Sequence, residues 1–453
     1  MQRDIISNLL EWKQSRDRKP LMLHGIRQVG KTYLLREFGR QHYANTAYIS
    51  LDNNSRARAI FDGDFDVQRI IRELSIEANT RIVPNDTLLI LDEIQTCPKA
   101  VTALKYFNED APAHHVAVAG SLLGVLSLET SGFPVGKISR MTLYPMTFAE
   151  FLDALGEGRF STLIRAGDLK TAAPFAEKIT SLMKEYFLVG GMPAAVKRHA
   201  DTRDFNAARE EQNSLVNDYY ADFARHVPHT ELAKVRRIWE SIPQQLGKEN
   251  KRFLYADMKR GGRGRDYENA LRWLLDAGLA CRVPRVSLPR LPLKNYAEEG
   301  IFKLYLPDIG LLSALTQLPP AAYLEPNDAL FNHYKGIMAE QFAFQELRAT
   351  CPSRASCTSS GHPPLYYWSN AKNTAEIEFI TQQDGKVVPL EVKAGKNLKS
   401  ESLRTYITTP SFAPELAIRA SLGKHGETPN ACGTTCRLLD IPLFMLSAIG
   451  CFV

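Results

Sequence analysis

Gly25-Ile26-Arg27-Gln28-Val29-Gly30-Lys31-Thr32 places two glycines, a lysine and a hydroxyl at the spacing G-x-x-x-x-G-K-[ST]. Glycines let the backbone curl so that its N–H groups face phosphate oxygens, and a helix N-terminus adds favourable partial charge. Lys31 then neutralises the β and γ phosphates, and Thr32 supplies a hydroxyl ligand to Mg²⁺. Further along, the apolar run Leu88-Leu89-Ile90-Leu91 ends in Asp92 and Glu93. The first carboxylate suits the magnesium shell, and the second suits polarising an attacking water. An acidic pair after an apolar run is common; its weight here comes from the phosphate loop upstream. Together these residues imply ATP and Mg²⁺ as ligands, with hydrolysis as the chemistry. Ser121, at the tip of the next apolar run, is a candidate γ-phosphate sensor or an ordinary helix N-cap. Lys137 and Arg140 are the nearest cations downstream, and for Arg140 a solvated strand charge is the better reading.

A second constellation lies toward the end of the chain. Ile337, Phe344 and Leu347 mark an apolar helix face, and Glu340 falls on that same face, where a carboxylate needs a cation or hydrogen-bond partners. Two strand-like runs follow. Glu376 and Glu378 point away from Ile377 and Phe379 in the first, and Glu391 and Lys393 share one side of the second. Glu378 followed by Glu391-Val392-Lys393 is the (D/E)…E-x-K layout of restriction-type nuclease sites. There, carboxylates on adjacent strands hold Mg²⁺ and the lysine orients water or stabilises charge. Glu340, Glu378 and Glu391 are the candidate metal ligands, with Glu391 and Lys393 catalytic; the alternative is a structural salt-bridge cluster in a degenerate nuclease fold.

Between the two constellations, Lys248, Lys251, Arg252, Lys259, Arg260, Arg263 and Arg265 crowd together with Tyr255, Tyr267 and glycines at 261, 262 and 264. A segment of this kind binds DNA largely by charge, in a salt-dependent way, although charge runs are usually solvated surface.

The elements that must position these groups follow from periodicity. Four short apolar runs at 20–25, 46–52, 87–93 and 115–121 alternate with helical patterns such as 32–41 and 101–110, which indicates a parallel sheet covered on both faces. A fifth strand is expected at 137–144. From about 150 to 240 the pattern is helical. Beyond it the order helix, basic glycine-rich loop, amphipathic helix and strand suits a small winged-helix-like module. Residues 301–315 read as a strand and a short helix. The tail opens with a helix at 336–349, followed by strands at 364–369, 375–380 and 387–393.

The 453 residues exceed one ordinary core, and 44% hydrophobic with 23% charged content argues against long disorder. A net charge of +6 permits nucleic-acid contact without demanding it. No window approaches a membrane span, and the amino end lacks the features of a signal peptide. Seven scattered cysteines suit a reducing compartment, so a cytoplasmic location is expected; Cys432 and Cys436 lack a second pair for zinc.

The segments HGIRQVGKT, LLILDEIQ, AGS, VGKISRMTLYPMTFAEFL and VGGMP, then FKLYLPDIGLL, GIMAEQF and AEIEFI…PLEVKAGKN, resemble prokaryotic AAA-type P-loop ATPases with a C-terminal domain similar to the PD-(D/E)XK nuclease fold. The resemblance covers most of the chain in the right order. It implies an α/β chain with an AAA-type P-loop NTPase core of parallel sheet at 1–155, a helical and winged-helix middle at 156–325, and a PD-(D/E)XK-like α/β domain at 326–453. The usual tail motif of that group reads EIDF, whereas Glu378 stands here in the aspartate position. The reading that follows is an ATP-driven protein acting on DNA as a motor, remodeller or ATP-gated nuclease, with homo-oligomerisation plausible for the class. The alternative is a nucleotide-dependent switch whose degenerate tail docks a protein.

Overall fold

Runs of apolar residues without alternation form strands only where both faces of a sheet are covered, and the first sheet follows that rule. Its strands are β1 (Leu21–His24), β2 (Asn45–Ser50), β3 (Thr87–Asp92), β4 (His115–Ala119) and β5 (Ser139–Thr142). They run in the order β2-β3-β4-β1-β5, and every pairing is parallel. The three inner strands are buried along their whole length, while the edge strands β2 and β5 carry the mixed polar pattern that an edge tolerates. Helices Lys31–His42, Val67–Glu77 and Pro98–Asp110 accompany the sheet, and Ile70, Leu74, Leu104 and Phe107 pack with Leu89, Leu91, Val116 and Val118 in one apolar core.

The computed structural model describes residues 1–120, 134, 136–248, 251–258, 263–317, 319–320, 329–350, 365–383, 385–395, 399–423 and 425–452. The chain forms two compact units: residues 2–144 with 276–278, and residue 1 with 145–275 and 279–453.

The larger unit begins with helices. Thr147 and Glu150, read directly from T-F-A-E, make a reciprocal capping box that starts helix Phe148–Ala154. Helices Ala176–Val189, Pro193–Thr202, Phe205–His226 and His229–Leu246 follow. After helix Gly264–Asp276 the chain enters an eight-stranded mixed sheet. Its strands are β6 (Cys281–Val286), β7 (Ala297–Tyr305), β8 (Leu365–Ser369), β9 (Glu376–Gln383), β10 (Lys386–Val392), β11 (Leu416–Ser421), β12 (Gly426–Thr428) and β13 (Arg437–Pro442). The order is β12-β13-β11-β10-β9-β8-β6-β7. The β6–β7 hairpin therefore joins the same sheet as the tail strands, through Arg285 opposite Tyr367 on β8. Strands β10, β11 and β13 are mutually parallel neighbours, and the remaining pairs except β6–β8 are antiparallel. No helix among the described residues is long and apolar enough to cross a membrane.

Candidate nucleotide site and tail carboxylate cluster

The phosphate loop leaves β1 at Gly25 and ends at Gly30, which caps helix Lys31–His42 in a left-handed conformation, φ 97°. At Gly25 a side chain has no room: a Cβ there would lie 2.5 Å from the carbonyl oxygen of Leu143 and 2.8 Å from Val29. The loop is braced from outside by Arg3, a buried residue that donates to the Val29 carbonyl at 3.4 Å and the Tyr144 carbonyl at 2.6 Å. Lys31 folds onto its own loop, donating to the carbonyls of Gly25 and Ile26 at 3.0 Å each. Burial pulls its ammonium down to about 8, against the opposing pull of Glu93 and Asp92. A cradle of this shape, with an amine held at a charge cost and no side chain capping the helix start, fits a phosphate group.

Strand β3 brings the acidic pair to the same end of the sheet. Thr32 Oγ1 donates to Asp92 Oδ2 at 2.7 Å across 60 residues of sequence, so the two residues expected to share a magnesium ion already touch. Tyr48 on β2 donates to the same oxygen at 3.0 Å, and burial followed by the Asp92 charge pushes its phenol up to about 12, which keeps it a donor. The other oxygen of Asp92 accepts the Glu93 N–H at 3.0 Å. Glu93 itself stands in the left-handed region, φ 52°, and its side chain accepts a hydrogen bond from Gln95. Gly25, Gly30, Lys31, Thr32, Asp92 and Glu93 thus share the carboxyl end of the sheet, where open α/β sheets bind ligands.

The remaining expectations fall elsewhere. Ser121 lies outside the described residues. Lys137 sits before β5, whose Ser139 pairs with Leu21 at the start of β1, and it forms a 2.8 Å ion pair with Glu109. Arg140 pairs in register with Met22, three residues short of Gly25, or roughly 10 Å along the strand. Neither is at the phosphate end of its own sheet.

In the larger unit, the tail carboxylates are divided among different partners. Glu340, buried on helix Ala329–Ala349, accepts from Lys303 Nζ at 2.9 Å, from Tyr305 OH at 2.5 Å and from Lys251. Lys303, with no exposed surface, also holds Glu376 at 2.5 Å. Burial alone would pull Lys303 down, yet Glu340 and Glu376 outweigh it and hold the ammonium above the ordinary lysine value. Burial pushes Glu340 up, but Lys251 and Lys303 win and bring it down to about 2. Glu378 goes the other way, to about 7, through burial and the Glu340 charge, while its Oε2 accepts the Val392 N–H at 3.1 Å. Glu391, 1% exposed, accepts at Oε1 from Ser400 and from Lys393 at 3.0 Å. Its Oε2 is buried with no hydrogen-bond partner among the described residues. No group of three or more His, Cys, Asp or Glu among the described residues is arranged to hold a metal.

Within the basic segment, Lys251 is committed to Glu340 and Lys248 pairs with Asp257 at 2.7 Å, while Arg265 lies 3.8 Å from Asp266. Lys259, Arg260 and the glycines at 261 and 262 lie outside the described residues.

Residues 17–152 match the family model described as an AAA domain. This stretch is an ATP-binding P-loop ATPase domain of the AAA type. Two further matches, residues 180–322 and 335–428, are to a domain of unknown function (DUF8612) and a domain of unknown function (DUF4143). Among solved structures the chain is similar to the Walker-type ATPase of Pyrococcus abyssi at 17% identity and TM-score 0.46, covering 70% of this chain and 95% of that one. It is similar also to RuvB of Thermotoga maritima at 16% identity and TM-score 0.31, covering 67% and 92% of the two chains. A likeness to Cdc6p of Pyrobaculum aerophilum has 13% identity and TM-score 0.23, covering 72% and 88%. No curated protein matches the chain.

Three residues at the ATPase site escaped the sequence reading: Arg3, Tyr48 and Gln95. Gln95 stood two places from Glu93 and was open to inspection. Tyr48 required the strand order, because only the β2–β3 register, Tyr48 beside Ile90, brings its hydroxyl toward Asp92.

Proposed function

We propose that the chain is an ATP-hydrolysing conformational switch in which Lys31 and Thr32 receive the triphosphate and Glu93 acts as general base. The observation that carries the reading is the 2.7 Å contact between Thr32 and Asp92, with Glu93 next in the chain. Bound Mg²⁺, held by Thr32 and Asp92, would supply charge neutralisation between phosphate oxygens. Lys31 exchanges two carbonyl acceptors for phosphate oxygens, which restores its full charge. The side-chain amide of Gln95 donates to Glu93 and orients its carboxylate toward an attacking water.

In this reading the tail is a degenerate module of PD-(D/E)XK type that docks a protein. The supporting observation is that Glu340 already has two ammonium partners and a phenol, which leaves it little capacity for a metal ion. Action on DNA, as motor, remodeller or ATP-gated nuclease, is a second reading, and one observation favours it: the buried Oε2 of Glu391, without a hydrogen-bond partner among the described residues and beside Lys393, would suit a cation shared with Glu378.

The test is ATP hydrolysis by the purified protein with single-stranded, duplex or branched DNA, using Lys31→Ala as control. Hydrolysis indifferent to every DNA supports the switch. Several-fold acceleration by one form replaces it with the second reading, as would Mg²⁺- or Mn²⁺-dependent nicking lost in Lys393→Ala. Absence of hydrolysis under all conditions removes both.

A further inference from the structure

The larger unit contains an open cavity of about 1580 Å³ that neither reading above uses. It lies at the carboxyl ends of the three mutually parallel strands: Ala394 and Gly395 follow β10, Leu422 and Gly423 follow β11, and Pro442 closes β13. Open α/β sheets bind their ligands in this position, because the loops leaving the strand ends form a crevice. Helix Ala176–Val189 walls the cavity with Thr180, Ser181 and Lys184, and helix Ala329–Ala349 contributes Lys335.

Two features give the cavity a chemical preference. Lys184 and Lys335 come from different helices and line the same cavity, where burial and then the Lys184 charge lower the Lys335 ammonium. The exposed Lys170 and His425 also line it, and His425 Nδ1 lies 3.0 Å from the Asp440 carbonyl. Of the two acids on the walls, Asp168 is engaged as a helix cap, accepting the Thr171 N–H at 3.0 Å; Glu177 is the other. Leu169, Leu422 and Phe444 add apolar surface to the lining. The volume exceeds the ~300–1,000 Å³ of an ordinary small-molecule site.

The geometry points to a second phosphoryl-ligand site, distinct from the P-loop, that takes a nucleotide phosphate on Lys184 and Lys335 and its apolar portion against Leu169 and Phe444. Two sources offer that chemistry: a free mono- or dinucleotide, and the 5′-phosphorylated end of a nucleic-acid strand. The assignment is independent of what the ATPase cycle drives.

The test uses full-length Lys31→Ala protein, in which the P-loop is disabled, so that failure here is separable from failure of the ATPase reading. Fluorescently labelled AMP, the dinucleotide pApA, and a twelve-nucleotide single strand with and without a 5′ phosphate are titrated by anisotropy. Saturable binding of at least one phosphorylated probe is expected, weakened at least about tenfold by Lys184→Glu and by Lys335→Glu. Lys294→Glu, elsewhere on the same unit, should leave it unchanged, and Lys184→Gln should weaken it less than the charge reversal. Matching melting curves establish that the variants are folded. Preference for the 5′-phosphorylated strand identifies the strand end as the source; equal or tighter binding of pApA or AMP identifies the free nucleotide. Absence of binding by every probe, or binding that Lys184→Glu and Lys335→Glu leave intact in folded protein, overturns the assignment.

Discussion

The chain holds two groups of carboxylates that look alike in sequence and are treated in opposite ways by the fold. At the ATPase site, Asp92 and Glu93 are held by a threonine hydroxyl, a tyrosine hydroxyl, a backbone amide and a glutamine amide. In the larger unit, Glu340 and Glu376 are held by lysine ammonium groups. Neutral donors orient a carboxylate and leave its charge available to an incoming cation, whereas ammonium donors consume that charge. The identity of the donors, more than the spacing of the acids, separates a site poised for a metal from a charge cluster that stabilises the fold.

The largest effect that could break this contrast is at Glu93. Glu93→Gln should lower ATP turnover by ~10²–10⁴-fold while nucleotide binding persists; turnover within a factor of three of the parent would show that the base lies elsewhere. Lys303→Met is the matching experiment on the other group. It removes one of the two ammonium partners of Glu340 and the ammonium that holds Glu376, and should destabilise the larger unit by ~3 kcal/mol in denaturant melts. Adding Glu340→Gln should recover part of that loss, and an additive loss would mean the three residues do not form one cluster.

A smaller effect sharpens the ATPase side. Burial brings Lys31 down to about 8, so below that pH it is charged and ready, and above it ATP binding must also take up a proton. ATP affinity should therefore weaken about tenfold between pH 7 and pH 9; a flat profile would mean that Lys31 stays protonated. The last effect concerns Glu378, raised from 4.5 to about 7. Between those values the folded chain retains a proton that the unfolded chain has released, so stability should fall as pH climbs through the window. Glu378→Gln should flatten that slope, and a slope that survives the substitution would assign it to another group.

Much of the ATPase core was legible because its determinants are local. Glycine spacing, an apolar strand and a following helix lie within a dozen residues, and the expected strands at 20–25, 46–52, 87–93 and 115–121 contain the observed β1 to β4 almost residue for residue. The tail strands β8, β9 and β10 were legible for the same reason, whereas β11, β12 and β13 were not foreseen. The fate of the tail acids was not, because the decisive partners are remote: Lys251 reaches Glu340 from 89 residues away, and Lys303 reaches Glu376 from 73. Read alone, Lys251 was one more basic residue in a run suggestive of DNA contact. The joining of β6 and β7 to the tail sheet rests on one parallel pairing, a long-range register that no periodicity encodes.

Lys303 and Lys251 also have a practical corollary for anyone dissecting the chain. The stretch 335–428, recognisable as a recurring evolutionary module, includes Glu340 and Glu376 but none of Lys251, Lys303 and Tyr305. An excised fragment with those limits would inherit the acids without their counter-charges and would forfeit β6, β7 and β13, the last a hydrogen-bonding neighbour of β11. Modular shuffling at that seam is thus discouraged by electrostatics as well as by sheet geometry, and a viable expression boundary lies upstream of Lys251.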